Sequence, residues 1–287
     1  MERSRPRLPE LTICAADSAN PALAARALAI SLERCDFGDA ILFTDAPVAG
    51  PFRTVLIEGL ASRADYSRFI LKELVRHVAT PFALVIQWDG YVVDAEAWLP
   101  EFLHYDYIGA KWPWHPDGFT VGNGGFSLRS QRLLAACADA RLCLDPGLGE
   151  DVLVCRRYRR SLEAEFGVRF APEAVADRFS HERVAPAAPT FGFHGLFNLW
   201  RWEKDAELVA LAERFHADVL AGEEYAELLA ECFSRKRLLP ARALYARLRA
   251  GLTPAGVEAR LACFIRERDF VAELVRECEA RSPASPA

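Results

Sequence analysis

The run Phe82-Ala83-Leu84-Val85-Ile86 is apolar at every position. A strand with one wet face alternates apolar and polar residues. A strand that is apolar throughout is covered on both faces, so it belongs to a sheet with helices on either side. Leu11–Ala15, Ala40–Thr44 and Thr54–Ile57 are further short apolar runs and read as strands. Between them, Ala22–Arg34 follows Pro21 and lines up Leu23, Ala27, Ile30 and Leu32. Proline near the first turn suits a helix start. Ala64–Val78 places Phe69, Ile70, Leu74, Val75 and Val78 at helical spacing. The order strand, helix, strand, strand, helix, strand predicts an α/β layer architecture. Of 287 residues, 52% are hydrophobic and 26% charged, which supports a full core and excludes disorder or fibrous repeats as the main structure.

After Asp89 the texture changes. Tyr91, Trp98, Phe102, Tyr105, Tyr107, Trp112 and Trp114 crowd together, followed by the glycine-rich run Gly122–Gly125 and the apolar stretch Phe126–Leu128. Gln131–Asp139 and Val152–Phe166 read as helices, the second stopped by Gly167. Pro186, Pro189 and Gly192 mark loop. From about Trp202 to Glu279 the chain is rich in Ala, Leu, Glu and Arg with helical periodicity, punctuated by Pro240, Gly251 and Pro254. The expected organisation is an α/β domain over residues 1–200 and a C-terminal α-helical region over 201–287, its tail 281–287 frayed.

A net charge of −5 gives no global basic field, so nucleic acid is not an expected partner. Eight cysteines form no CxxC pair and sit in apolar segments, which points to reduced, buried thiols and a cytoplasmic protein. No run approaches the ~18 apolar residues of a spanning helix, so any membrane contact is peripheral. The polar stretch from Met1 to Pro9 is not followed by an apolar run of signal-peptide length.

Five stretches carry residues suited to chemistry. Gln87-Trp88-Asp89 closes the buried strand, and ligands of open α/β sheets bind beyond the carboxyl ends of strands. Asp89 there could hold a divalent cation against a diphosphate, or cap a turn into Gly90. In Gly122-Asn123-Gly124-Gly125 three glycines permit close approach of the backbone to a ligand, and Asn-Gly is also a hairpin signal. Glu150-Asp151 opens a helix, where the dipole favours carboxylates and where one could act as a general base. His194 lies among glycines and aromatics in Phe191-Gly192-Phe193-His194-Gly195, as a loop residue or a metal or phosphate contact. Arg68 and Lys72 stand at i and i+4 on one helix face, turned to phosphates or simply to solvent.

In this order the motifs resemble GT-A-fold glycosyltransferases, notably the beta-1,3-galactosyltransferase and Fringe type. There a Y-x-N-L-T-x-K helix precedes a strand ending in DxD, then a glycine-rich segment, then E-D-V. The counterparts here are Tyr66 to Lys72, Gln87-Trp88-Asp89, Gly122–Leu128 and Glu150-Asp151-Val152. The segments QWDGYVVD, YDYIGAKWPW, VGNGGFSLRS and PTFGFHG also resemble a family of bacterial and fungal domains of unknown function grouped with glycosyltransferases. That closer resemblance spans Leu11 to Leu199, and nothing familiar covers the C-terminal helices.

The resemblance implies a GT-A-like (Rossmann-like) mixed sheet flanked by helices, and transfer of a sugar from a nucleotide sugar to a hydroxyl of a glycan, glycolipid or surface polysaccharide. Asp151 would be the base, with Glu150 beside it, and attack would invert the anomeric centre. Asp17, Arg68, Lys72, Gln87 and Asp89 would lie on the donor side. Trp112, Trp114, Asn123, Gly124 and Gly125 would lie on the sugar and acceptor side. A divalent cation, Mn or Mg, would be held by Asp89 and His194. One departure stands out: the first acid of DxD is Gln87 here. It leaves three accounts open: metal held by Asp89 and His194 alone, a metal-independent mechanism using Arg or Lys, or lost catalysis. A noncatalytic nucleotide- or glycan-binding module, and an assembly protein recruiting a partner through its C-terminal helices, are the alternatives to an enzyme.

Overall fold

The computed structural model describes residues 5–280; the expected frayed tail lies outside them. The described residues fall into two compact units that divide between His194 and Gly195, where the sequence reading places a boundary after residue 200.

The first unit is a mixed α/β structure. Its strands are β1 (Arg7–Ala16), β2 (Asp36–Thr44), β3 (Arg53–Leu56), β4 (Phe82–Ile86), β5 (Tyr107–Ile108) and β6 (Phe126–Ser130), in the order β3-β2-β1-β4-β6-β5. The first four are parallel, whereas β6 runs antiparallel to β4 and β5 antiparallel to β6. β1 begins earlier than its apolar run suggests, and its pairing with β2 shifts register between Leu8 and Thr12. Pro9 sits inside that shift and has no N–H to give the ladder. Ala83, Leu84, Val85 and Ile86 of β4 are completely buried, as a strand covered on both faces requires.

Helix α1 (Pro21–Arg34) connects β1 to β2. Helix α2 (Arg63–Arg68) opens on Ser62, whose hydroxyl accepts from the Asp65 N–H at 3.1 Å. It continues through a widened turn, Phe69–Glu73, and a tightened one, Leu74–Arg76, rather than as the single regular helix its spacing predicts. Phe69, Ile70, Leu74 and Val78 nevertheless pack on Cys14, Ile41, Phe43, Ala83 and Val85 of the sheet. Helix α3 (Gln131–Ala138) follows β6, capped by the Ser130 hydroxyl. The second expected long helix is likewise interrupted. It comprises α4 (Glu150–Val152), a widened turn at Leu153–Arg157, and α5 (Arg159–Phe166), which ends on Gly167 at φ +66°. Helix α6 (Glu173–Phe179) leads into a small parallel sheet of β7 (Ser180–His181) and β8 (Gly192–Phe193).

The second unit is helical: α7 (Leu199–Trp202), α8 (Asp205–Arg214), α9 (Ala217–Ala221), α10 (Glu223–Ser234), α11 (Leu238–Arg249), α12 (Pro254–Leu261) and α13 (Arg268–Glu279). Leu208, Leu228, Leu244, Val271 and Leu274 form its buried faces. Arg237 ties α8 to the entry of α11, with Nε 2.7 Å from Asp205 and Nη2 2.8 Å from the Glu203 carbonyl. Among the described residues no helix is long and apolar enough to cross a membrane.

All eight cysteines are free thiols; Cys143 and Cys263 are exposed and the other six are buried. Burial pushes Cys14, Cys35, Cys137 and Cys232 up to about 12, which removes the reactive thiolate at neutral pH. Iodoacetamide on the native protein, read by peptide mass spectrometry, will therefore label Cys143 and Cys263 first. Labelling of Cys14 or Cys137 at a comparable rate without denaturant would contradict this packing.

Candidate active site

The sheet switches direction of growth between β1 and β4. The chain lays β2 and β3 on one side of β1, then places β4 on the other. A crevice opens beyond the carboxyl ends of two such strands. Here it is a hollow of about 300 Å³ lined by Asp17 and Asn20 after β1, by Gln87 and Trp88 after β4, and by Arg63 and Tyr66 of α2. Asp17 is fixed by its own turn, Oδ1 accepting from the Asn20 N–H at 2.5 Å.

The antiparallel course of β6 fills the next position on this rim. Ile86, the last residue of β4, pairs with Phe126, the first of β6. The residues after β4 and those before β6 therefore meet at one end of the sheet, and the Gln87 N–H donates to the Gly125 carbonyl at 2.8 Å. A third segment arrives through the small sheet. His181 pairs with Phe193, and the His194 N–H donates to the His181 carbonyl at 3.0 Å. Val93 bonds the Phe191 carbonyl at 2.9 Å, which ties β8 to the chain just past Asp89.

His194 is thereby set among polar groups. Its Nε2 lies 3.0 Å from Gln87 Oε1 and 3.4 Å from Asp89 Oδ1. Its Nδ1 lies 3.1 Å from Glu182 Oε1 and 3.0 Å from the Asn123 amide nitrogen. Burial of the ring opposes its charge, but the Asp89 and Glu182 carboxylates outweigh that and hold its pKa well above the ordinary histidine value. Gly125 admits the ring: a Cβ there would stand 2.0 Å from His194 Nε2.

Beneath this rim lies a buried ion pair. Arg129 of β6 and Glu150 of α4 are 2% and 3% exposed, and their bidentate contacts measure 2.8 and 2.9 Å. Arg129 Nε also donates to Ser127 Oγ at 2.9 Å, and that hydroxyl donates to the Gly124 carbonyl at 3.0 Å. The Tyr107 hydroxyl donates to the Asn123 carbonyl at 2.9 Å. Asn123 takes a left-handed conformation, φ +64°, and is 3% exposed. Gly124 crosses directly over the pair; a Cβ would meet Glu150 Oε1 at 1.8 Å. Asp151, next in the chain, accepts from the Gly124 N–H through Oδ2 at 3.2 Å and from the Val152 N–H through Oδ1 at 2.8 Å.

Gln87, Asp89, Asn123, Gly124, Gly125, Asp151 and His194 are thus brought together, with Asp17 in the adjoining hollow. Four of the expected residues have other surroundings in the structure. Lys72, expected at the nucleotide, donates to the carbonyls of Cys137, Asp139 and Leu142 at 2.7, 2.9 and 2.6 Å, closing the end of α3. Arg68 pairs with Glu73 and, at 3.6 Å, with Glu58; Arg63 lines the hollow instead. Glu150, expected beside the base, has both carboxylate oxygens on Arg129. Trp112 is buried against Gly122, so of the stacked pair Trp112–Trp114 only Trp114, 55% exposed, offers an open face.

The sequence reading missed Arg129 and Glu182. A cation inside the strand Phe126-Ser127-Leu128-Arg129-Ser130 was the available signal, since a buried charge demands a partner. Glu182 sits in an irregular proline-rich stretch and carried none. Among the described residues no three His, Cys, Asp or Glu side chains gather as a metal cage.

A mixed α/β unit with a polar rim at its switch point is the class this chain defines. The chain belongs to the family described as a protein of unknown function, DUF5672, which matches residues 51–194. No curated protein matches it. Among the solved structures to which it is similar are three. Residues 1–349 of TarS from S. aureus share 13% identity, with 94% of this chain and 90% of that one covered and a TM-score of 0.39. The mannosyltransferase PcManGT from Pyrobaculum calidifontis, solved with GDP-Man and Mn2+, shares 12% identity, with 97% and 87% covered and a TM-score of 0.40. A glycosyltransferase involved in glycosylation of the major capsid of PBCV-1 shares 14%, with 64% and 91% covered and a TM-score of 0.37. These likenesses are distant and none bears on chemistry.

The buried pair generates a stability prediction. Glu150→Gln leaves the Arg129 charge uncompensated and should cost about 3–5 kcal/mol. Arg129→Met/Glu150→Met removes both charges and should cost clearly less. Urea unfolding followed by fluorescence measures both. A Glu150→Gln variant as stable as the parent would contradict the pair's role.

Proposed function

We propose that the chain is a glycosyltransferase that moves a sugar from a nucleotide-sugar donor to a hydroxyl of a glycan, glycolipid or polysaccharide acceptor. The observation that supports this best is a junction of segments. Gly124 meets Asp151 and Gly125 meets His194, so a base candidate and a polar cluster flank one short backbone segment, and Gln87, which lines the switch-point hollow, bonds that segment at the Gly125 carbonyl. The order of motifs that resembles GT-A-fold enzymes agrees with that placement.

In this reading the hollow bounded by Asp17, Tyr66 and Gln87 takes the nucleoside, and the diphosphate lies toward Asp89 and His194. Asp151 accepts the proton of the acceptor hydroxyl. The acceptor oxygen forms a bond to the anomeric carbon as the bond from that carbon to the diphosphate oxygen breaks, its electron pair leaving with the diphosphate. Direct attack inverts the anomeric centre. The Gly124 N–H fixes the direction of the Asp151 carboxylate, and the bare backbone at Gly124 and Gly125 gives the sugar close access. Trp114 offers an apolar face to a sugar ring of the acceptor.

The oxygens of Asp89 and Gln87 lie within 3.4 Å of the Nε2 of His194, so a divalent cation there would be held by Asp89 and His194 in place of the ring proton that these oxygens face. Hard cations that share a diphosphate commonly take only one or two protein carboxylates. When bound, such a cation neutralises charge developing on the departing diphosphate.

With a panel of UDP-, GDP- and dTDP-sugars and Mn2+, release of nucleoside diphosphate reads turnover. Asp151→Asn should lower it about 10²–10⁴-fold while leaving nucleoside diphosphate affinity within a few-fold. Asp89→Ala should weaken that affinity. Nucleotide binding without turnover for every donor and acceptor would favour a noncatalytic binding module and contradict the proposal.

A further inference from the structure

Arg237 stands just before α11 and reaches back to the chain that leaves α7. Its guanidinium donates to the Trp200 carbonyl and, at 2.8 Å, to the Glu203 carbonyl, while Nε donates to Asp205 at 2.7 Å. Residues 200–205 are thereby held against the turn 235–237, both within the helical unit. Apolar and cationic groups meet at this junction. Trp202 is 37% exposed and Leu239 60%; with Leu252 they are the large apolar side chains that this unit turns outward among the described residues. Arg201, Lys204, Arg235 and Lys236, next to them in the chain or across the junction, are exposed as well.

The charges here do not balance. Glu231 pairs with Arg235 at 2.9 Å, Asp205 pairs with Arg237, and Glu203 is buried. Lys204 and Lys236 make no ion pair among the described residues, and Arg201 meets the Asn198 side-chain oxygen at 3.4 Å. Arg201 and Arg235 also lie on one indole: their guanidinium carbons are 4.2 and 3.6 Å from the centroid of Trp200. Two like charges on one ring repel. Burial together with the Arg235 charge pulls the Arg201 pKa below the ordinary arginine value. On a chain whose net charge is −5, this local excess of cations calls for anions from outside.

The apolar groups decide which anions. A base of RNA could stack on Trp202 but has no use for Leu239. A bilayer surface uses both, since leucine enters the acyl boundary and indole prefers the interface, while lysine and arginine extend to the headgroups. We propose that the junction of α7 with the α10–α11 turn is a membrane-docking face: Trp202 and Leu239 enter the interface of an anionic bilayer, and Arg201, Lys204, Arg235 and Lys236 meet its headgroups. The inference goes beyond the transferase reading and does not depend on it.

The test is sedimentation of the full chain with vesicles of phosphatidylcholine, alone or mixed equally with phosphatidylglycerol. The chain should sediment with the mixed vesicles, less so as salt rises, and stay in solution with phosphatidylcholine alone. A cation beside an anionic leaflet is worth about fivefold in binding, so Lys204→Gln/Lys236→Gln should bind about 25-fold more weakly. Both lysines are exposed and without ion pairs, so thermal unfolding of that variant should match the parent's. Brominated phosphatidylcholine in the mixed vesicles should quench tryptophan fluorescence, and Trp202→Phe should lose part of that quenching. No sedimentation with the mixed vesicles, or parent-like binding by the double lysine variant, overturns the inference. Binding of polyuridylate without binding of vesicles overturns it in favour of nucleic acid. Turnover of nucleotide sugars tests the transferase reading separately.

Discussion

The Arg129–Glu150 pair is the interaction on which the candidate site depends. Removing two charges from water is costly, and only a bidentate geometry with further hydrogen bonds offsets it. Here the guanidinium has both: two contacts to Glu150 and one to Ser127, whose hydroxyl passes the constraint on to the Gly124 carbonyl. The pair joins the second half of the sheet to α4 and sets the level at which Gly124 crosses. Asp151 follows Glu150 directly, so anchoring one carboxylate on Arg129 delivers the next to the Gly124 N–H. Adjacent acids thereby take different tasks, one holding the scaffold and one facing the rim.

The same economy governs the rim itself. Parallel strands alone would bring only residues after β1 and β4 to the crevice. Reversal of β6 adds the residues that precede it, and the small β7–β8 sheet adds His194. Three chain segments far apart in sequence then converge without a long loop between any of them and the sheet. Glycine at 124 and 125 is what lets them close: a side chain at either position would strike Glu150 or His194.

Much of the fold could be read from the residues. β4 announced itself by an unbroken apolar run, and α1 by proline and its spacing. Other features had no local signature. The direction of β6 is a matter of connection, since the burial pattern of a strand is the same either way round. The widened turns in α2 and after α4 keep the apolar face pointing inward, so periodicity reads through them as continuous helix. β7 and β8 are two residues each, too short for any pattern. At the site, Asp89 and His194 stand together at the rim, where residue type and place in the chain had set them both as candidates. Residue type did not foretell the partners of Lys72, because an ammonium group satisfies three helix-end carbonyls as readily as it meets a phosphate. Trp112 and Trp114 divided for a similar reason: identical side chains two residues apart, one turned onto Gly122 and one into solvent.

A crystal structure of the full chain with a nucleoside diphosphate and Mn2+ tests the central claim most directly. The account predicts the nucleoside in the hollow between Asp17, Tyr66 and Gln87, the cation on Asp89 Oδ1 and His194 Nε2, and Asp151 still on the Gly124 N–H, facing the place of the donor sugar from the side opposite the diphosphate. A nucleotide seated elsewhere, or an Asp151 carboxylate cut off from it by protein, would contradict the claim that these segments form one transferase site.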